Sequence, residues 1–355
     1  MKRIFTLYFF ALFCLISQAQ EELYERVYVH TDKTCYLAGE EVWIKFYTTD
    51  THFQPSFFSK VGYVEISNAE RPQAQLKLAL DNGSGSGKIK IPADVPSGIY
   101  ELSGYTQYMR NEGEKIFFRK QIAIINTFRI AESDPITLAD STETYPKEVP
   151  AMNGNIRINT SRPSYSMRQP VELTINGLPE EVSDLIVSVS RNDSLVILPH
   201  HEESVWRQQV TSTPGTFSGQ WVPEYEGHII RGQIQTPEGE TLKQIQNKHV
   251  SADIAFVGKD IRYVQGQVDV EGNARFYTSN IFGINDIVAA AWGANGESYQ
   301  MNILSPFCEN LPKNLPPLKL YRNKKRLLER SIGIQLQQVV MLDSLDHGIP
   351  LQSCY

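Results

Sequence analysis

Cysteine is the first scarcity. Of the four in the 355 residues, Cys14 lies in an apolar leader, so Cys35, Cys308 and Cys354 remain as an odd, sparse set. That excludes a disulfide framework, while a single bridge stays open if the chain reaches an oxidising space. Long apolar runs are missing beyond the leader. The best later candidate, residues 281–292, is short and contains Asn285 and Asp286, so no transmembrane helix is expected in the mature chain. A surplus of positive charge is missing as well. The 34 Lys and Arg face 40 Asp and Glu, and without Lys2 and Arg3 of the leader the basic count falls to 32. No large basic field is left, which argues against nucleic acid as a partner.

The spacings that carry chemistry are absent too. His200-His201-Glu202-Glu203 is the densest set of metal-ligand types, yet no HExxH or other spaced ligand set surrounds it, and adjacent His residues on a strand point to opposite faces. Asp343, Asp346 and His347 sit together in a polar stretch near the end and read as a solvated turn. Residues 83–88, GSGSGK, lack the first Gly of a phosphate loop and its final Ser or Thr, since Asn82 and Ile89 occupy those places. Neither a Gly-x-Ser-x-Gly elbow nor a helix-opening Gly-x-Gly-x-x-Gly occurs. The chain is therefore expected not to be an enzyme and to need no cofactor or metal.

What is present begins with residues 1–20: Lys2 and Arg3, an apolar run from Ile4 to Ile16, then Ser17-Gln18-Ala19. This reads as a cleaved export signal, with an uncleaved anchor as the alternative. Beyond it the pattern has period two. Val42, Ile44 and Phe46 alternate with Trp43, Lys45 and Tyr47, and Leu76, Leu78 and Leu80 and then Ile116, Phe118, Ile122 and Ile124 keep the same rhythm. Alternation of this kind predicts half-buried strands of antiparallel sheets. Asp81-Asn82-Gly83, with Ser84-Gly85-Ser86-Gly87 behind it, and Pro96-Ser97-Gly98 supply turn residues, so Val27 to Thr127 is expected to hold about seven strands of one sandwich.

Composition shifts set the remaining boundaries: a first β-sandwich over 21–130, a linker over 131–154, a second β domain over 155–226, a third over 227–308 and a Pro-rich, basic, partly helical tail over 309–355. In the second domain, strands are expected at Val171–Ile175 and Leu185–Val189. In the tail, Lys319, Arg322, Lys324, Lys325, Arg326 and Arg330 form a basic group, either a solvated face or a contact for phospholipid headgroups or an acidic partner. The fold class is all-β: tandem antiparallel sandwiches, macroglobulin- or Ig-like, with a short mixed or helical tail.

One phrase is written twice. Residues 30–47, HTDKTCYLAGEEVWIKFY, and the stretch from Thr160 align without a gap at Thr31/Thr160, Lys33/Arg162, Tyr36/Tyr165, Val42/Val171, Ile44/Leu173 and Phe46/Ile175. Strand and turn residues account for every position, with the Tyr ring over the end of a core and its hydroxyl near water, so the phrase is expected to be a fold signature rather than an active site.

The first copy also carries a resemblance. Tyr28-Val29-His30-Thr31-Asp32-Lys33, Tyr36, Gly39-Glu40 and Val42-Trp43-Ile44-Lys45 resemble the second macroglobulin domain, MG2, of alpha-2-macroglobulin-like proteins. Pro96-Ser97-Gly98-Ile99-Tyr100 resembles its late Pro-x-Gly-x-Tyr hairpin, and residues 104–111, GYTQYMRN, resemble the version in exported proteins of Bacteroidota. The second copy is similar to a following macroglobulin-type domain, and the unit from 227 to a carboxypeptidase-regulatory-like sandwich. The resemblance makes Tyr36, Gly39, Glu40, Trp43, Pro96, Gly98, Tyr100 and Tyr165 structural signature residues. It implies no thioester, because Cys35, Cys308 and Cys354 lack the Cys-Gly-Glu-Gln context of the trapping macroglobulins. Relatives of this kind continue into a region similar to a TonB-dependent receptor plug, so a truncated member is expected. Together these readings lead to a non-enzymatic binding or scaffold protein of the cell envelope, in the periplasm or at the outer membrane, with protein partners there and peripheral membrane association. The alternative is an endopeptidase inhibitor that works without a thioester.

Overall fold

A computed structural model of the chain describes residues 24–128, 136–138, 156–166, 169–178, 185–189, 195, 215–235, 249–258, 261–309, 311–320 and 324–346. Eight strands build the first sandwich: β1 (Arg26–Thr31), β2 (Cys35–Leu37), β3 (Glu41–Thr49), β4 (Val61–Ser67), β5 (Pro72–Ala79), β6 (Ser84–Lys90), β7 (Gly98–Tyr105) and β8 (Phe118–Ile125). They form a three-stranded sheet, β1-β3-β6, and a five-stranded sheet, β2-β8-β7-β4-β5. All pairs are antiparallel except β2 with β8. Val27, Val29, Ile44 and Phe46 of one sheet meet Val64, Ile66, Leu102, Ile122 and Ile124 of the other in the core. The sheets approach closely at two glycines. A Cβ on Gly62 would lie 2.8 Å from the Phe46 ring, and one on Gly104 only 2.4 Å from Val29.

The turn chemistry is narrower than the sequence suggests. Asn82 (φ 47°) and Gly83 (φ 72°) make the β5–β6 turn, which Asp81 and Ser84 close by exchanging backbone hydrogen bonds of 2.8 and 2.9 Å. Gly85 and Gly87 are not turn residues. They lie inside β6, where a Cβ would meet the Ala79 carbonyl at 2.4 Å and Leu78 at 2.3 Å, so their role is close packing.

A second departure concerns burial. Alternation predicts one wet face, yet β4 is buried at all seven positions and β7 at all but Glu101. The outer face of the five-stranded sheet is covered by chain from far away in sequence. Ile99, Ala123 and Ile125 pack with Leu37, Leu195, Leu318 and Ile334 in a second apolar cluster. Leu318 belongs to β19 (Leu318–Leu320), which pairs in parallel with β9 (Ile136–Leu138), a strand inside the segment read as linker. Ile334 belongs to the helix α1 (Lys324–Asp346).

The second copy of the phrase contributes β10 (Arg157–Thr160) and β11 (Leu173–Asn176), paired antiparallel. Here the expectation of a strand at Leu185–Val189 fails. Those residues run as irregular chain with Leu185, Val187 and Val189 exposed. Alternation marks which face would be apolar, but a strand exists only where a neighbour supplies a ladder. The third unit contains β12 (Ile229–Gln235), β13 (Val250–Val257), β14 (Arg262–Gln265), β15 (Gln267–Val268), β16 (Asn273–Tyr277), β17 (Asp286–Gly293) and β18 (Ser298–Ile303), in the order β14-β13-β17-β18-β12-β16-β15. That sheet encloses its own core of Ile230, Ile234, Ile254, Phe256, Phe276 and Tyr299. The chain is thus all-β with antiparallel sheets and a helical tail. No helix among the described residues is long and apolar enough to cross a membrane.

Candidate functional site

The repeated phrase folds into one hydrogen-bonded turn, built twice. Thr31 Oγ1 donates to the Lys33 carbonyl at 2.8 Å, and Thr160 Oγ1 to the Arg162 carbonyl at 2.7 Å. The Lys33 N–H donates to the Tyr36 hydroxyl at 3.3 Å, and the Arg162 N–H to the Tyr165 hydroxyl at 3.0 Å. Leu37 N–H donates to Glu40 Oε2 at 3.0 Å, and Ser166 N–H to Gln169 Oε1 at 2.9 Å. Even the strand register agrees: Tyr28 faces Tyr47 and Arg157 faces Asn176, an offset of 129 residues that holds to the last pairs, Thr31 with Ile44 and Thr160 with Leu173.

The signature residues of the first copy are all placed in this frame. Gly39 takes φ 87°, a left-handed position that suits glycine. Tyr36 is fully buried, contrary to the expectation of a hydroxyl near water; its proton goes to Asp32 Oδ1 at 2.7 Å or the Lys33 carbonyl at 2.8 Å. Burial, followed by the Asp32 charge, holds the phenol far above its ordinary range. Trp43 stays half exposed, with the Lys88 ammonium over its ring. Tyr100 donates to the Pro96 carbonyl four residues back at 2.6 Å, a tyrosine-corner contact, and Gly98 opens β7. Tyr165, by contrast, sits in an exposed turn, its hydroxyl 2.9 Å from Ser161 Oγ.

Glu40 has a further partner. Arg330 of α1 donates to both its carboxylate oxygens, at 2.9 and 2.8 Å, and to the Cys35 carbonyl at 2.7 Å. Lys33 Nζ joins at 2.9 Å. Burial works to raise the Glu40 carboxyl, but Arg330 and Lys33 outweigh it and hold the carboxyl below its ordinary value. Arg330 therefore does not belong to an external basic face. Arg322 and His200 to Glu203 lie outside the described residues.

A polar cluster that sequence reading missed occupies the rest of the covered sheet face. Tyr63 and Tyr105 are cross-strand partners, stacked at 5.5 Å, and Phe117 stacks on Tyr105 at 4.4 Å. The Tyr63 hydroxyl reaches both Glu224 oxygens at 2.9 Å and His228 Nδ1 at 3.0 Å. Tyr105 donates to Glu65 at 2.5 Å, and Glu65 also receives the Cys308 and Glu309 N–H groups at 3.1 and 3.3 Å. Residues 224–228 and 307–309 are thereby fastened to β4 and β7. The signal for this was Glu65 itself, a carboxylate in a strand whose other residues are uncharged.

Two groups of the cluster are held in their protonated forms. Burial, then the hydrogen bond to Glu114, pushes the Cys308 thiol up to about 12, so the thiolate needed for nucleophilic attack is suppressed. Burial and then the Glu224 charge push the Tyr63 phenol up as well. Cys35 and Cys308 are free thiols, so no bridge joins them, and Cys354 lies outside the described residues. Among the described residues, no three His, Cys, Asp or Glu side chains are grouped to hold a metal. The arrangement can fasten segments of chain to one another and present a surface.

No family model matches the chain, and no curated protein does. Solved structures do. Native Escherichia coli alpha-2-macroglobulin is similar at 9% identity and a TM-score of 0.24, over 80% of this chain and 14% of that one. The Escherichia coli protein activated by porcine elastase is similar at 8% identity and 0.24, over 79% and 20%. The Salmonella alpha-2-macroglobulin reacted with methylamine is similar at 10% identity and 0.24, over 79% and 14%. This chain spans no more than a fifth of the length of these proteins.

Proposed function

We propose that this chain is a non-enzymatic binding and scaffold protein of the cell envelope, built of macroglobulin-like sandwiches and working as part of an outer-membrane assembly. The observation that carries the reading is the covered sheet face. Glu65, Glu224, His228 and Cys308, the groups a catalyst would use, are spent on hydrogen bonds that lock remote segments onto the first sandwich. Such a construction resists displacement of its parts and suits a spacer that offers edges and loops to a partner. Strand β14 is the edge best suited to this. Among the described residues it pairs only with β13, on one side, and Tyr263 on it and Ile261 just before it stand 66% and 81% exposed without the Lys or Pro that commonly blunts an edge.

The test is site-directed photocrosslinking in the native envelope, with the reactive group at Ile261 or at Phe53 as a control, followed by intact-mass measurement of periplasmic and outer-membrane fractions. A discrete protein adduct from Ile261, in the outer-membrane fraction, is the expected result. Uncrosslinked protein in the soluble fraction that slows a protease at stoichiometric amounts would favour the inhibitor reading instead. Catalytic turnover lost on His228→Ala would sink both.

A further inference from the structure

Where the first sandwich meets the third unit, one indole holds two cations. Arg110, in a short 3-10 helix over residues 108–112, places its guanidinium carbon 3.5 Å from the Trp221 ring centre, and Arg231 of β12 places its own 4.3 Å away. Trp221 is itself fixed, because its N–H and carbonyl bond the Asn111 side chain at 2.9 and 2.8 Å. Arg275 of β16 is the cross-strand partner of Arg231 and its charge bears on Arg231.

Among the described residues no carboxylate forms a salt bridge with Arg110, Arg231 or Arg275. Nearby acids are committed elsewhere. Glu112 pairs with Arg26 at 3.0 Å, and Glu114 accepts the Cys308 thiol at 3.1 Å. Asp269 is bound by the N–H groups of Glu271 and Asn273 and by the Asn273 amide, all at 2.9 Å. All three arginines and Trp221 are half-buried, so water screens their mutual repulsion only in part. Burial first, and then Arg110 and Arg275, work against the charge of Arg231, while Asp269 favours it from a distance.

We propose that Arg110 and Arg231, stacked on Trp221, form with Arg275 a binding site for a phosphate monoester. Among the described residues, three positive charges against the one of Asp269 leave a surplus of two, which matches a phosphate monoester at about −1.5 to −2 and exceeds any single carboxylate. Guanidinium forks match phosphate oxygens in planar, paired hydrogen bonds, and the indole fixes two of the forks before the ligand arrives. The site is independent of the scaffold reading. It would stand if no envelope partner were found.

The experiment is calorimetric titration of the full chain, at constant ionic strength, with inorganic phosphate and with glycerol phosphate, beside sedimentation with phosphatidylcholine vesicles carrying phosphatidic acid. One-site binding of glycerol phosphate below about 1 mM is expected, weakened about tenfold or more in Arg275→Gln, the variant that leaves the Trp221 stack untouched. Retention on phosphatidic acid vesicles that Arg275→Gln abolishes would identify the source as a lipid headgroup. Binding of the soluble ester without retention would identify a free phosphate compound. Absence of heat to about 10 mM, or equal binding by wild type and Arg275→Gln, would overturn the proposal and leave the arginines as packing around Trp221.

Discussion

Two regions of this molecule, the turn around Tyr36 and the turn around Tyr165, use the same hydrogen bonds in the same register and end in different surroundings. At the first, Val42, Ile44 and Phe46 are buried between two sheets and Tyr36 has no exposed surface. At the second, Leu173, on a described sheet of only two strands, and Val171, just before that strand, are exposed by 42% and 53%. The copies also differ chemically at one decisive place. Glu40 receives Arg330 from α1, whereas the side chain of its counterpart Gln169 carries no charge and, among the described residues, receives the Ser166 N–H. A short phrase can therefore specify a turn by itself, but its energetic weight is set by what packs over it.

That comparison can be tested from its largest expected effect downward. Tyr36→Ala removes a buried ring and the acceptor for the Lys33 N–H, and should destabilise the fold by about 3–5 kcal/mol in urea denaturation. Tyr165→Ala should cost no more than about 1 kcal/mol, and equal losses would break the comparison. Next comes Glu40→Gln, which gives the first copy the chemistry of the second. Removing a charged partner of Arg330 should cost about 1.5–3 kcal/mol. It should also change the response to acid. The Glu40 carboxyl is held below its ordinary value of 4.5, so its contribution is full above that pH and is lost as the pH falls through the lower folded value. Between wild type and Glu40→Gln, the stability gap should accordingly close on acidification, and a constant gap would contradict the Arg330 contact.

Smaller effects sharpen the same point. Thr31→Val removes a turn hydrogen bond and the oxygen that Lys120 Nζ donates to at 2.6 Å, for about 1–2 kcal/mol, while Thr160→Val at its exposed position should cost about 0.5 kcal/mol or less. Smallest of all is Gln169→Glu, expected within about 0.5 kcal/mol of wild type by the same denaturation, since the described structure brings no arginine to it. A clear gain there would reveal a cation near the second copy.

Legibility followed the range of the interactions. The alternation of Val42, Ile44 and Phe46 marked a strand correctly because it needs only a neighbour and a core. Asn82-Gly83 marked its turn because left-handed backbone is a property of those residues. Leu185 to Val189 carried the same alternation and is not a strand. Glycines 85 and 87 looked like turn residues because sequence shows that a side chain is missing, not what fills the space. The covered sheet face was the largest omission: Tyr63 and Glu224 lie 161 residues apart, and no local pattern links them.

The sequence by itself determined the all-β character, the turn chemistry and the twofold use of one phrase, since period, backbone preference and side chain-to-turn hydrogen bonds act within a few residues. Tertiary structure alone decided that Glu40 meets Arg330, that Tyr63 and Glu65 bind Glu224, His228, Cys308 and Glu309, and that two arginines stack on Trp221. Those outcomes depend on which distant surfaces come together, and burial, charge and packing acquire their magnitudes only when they do.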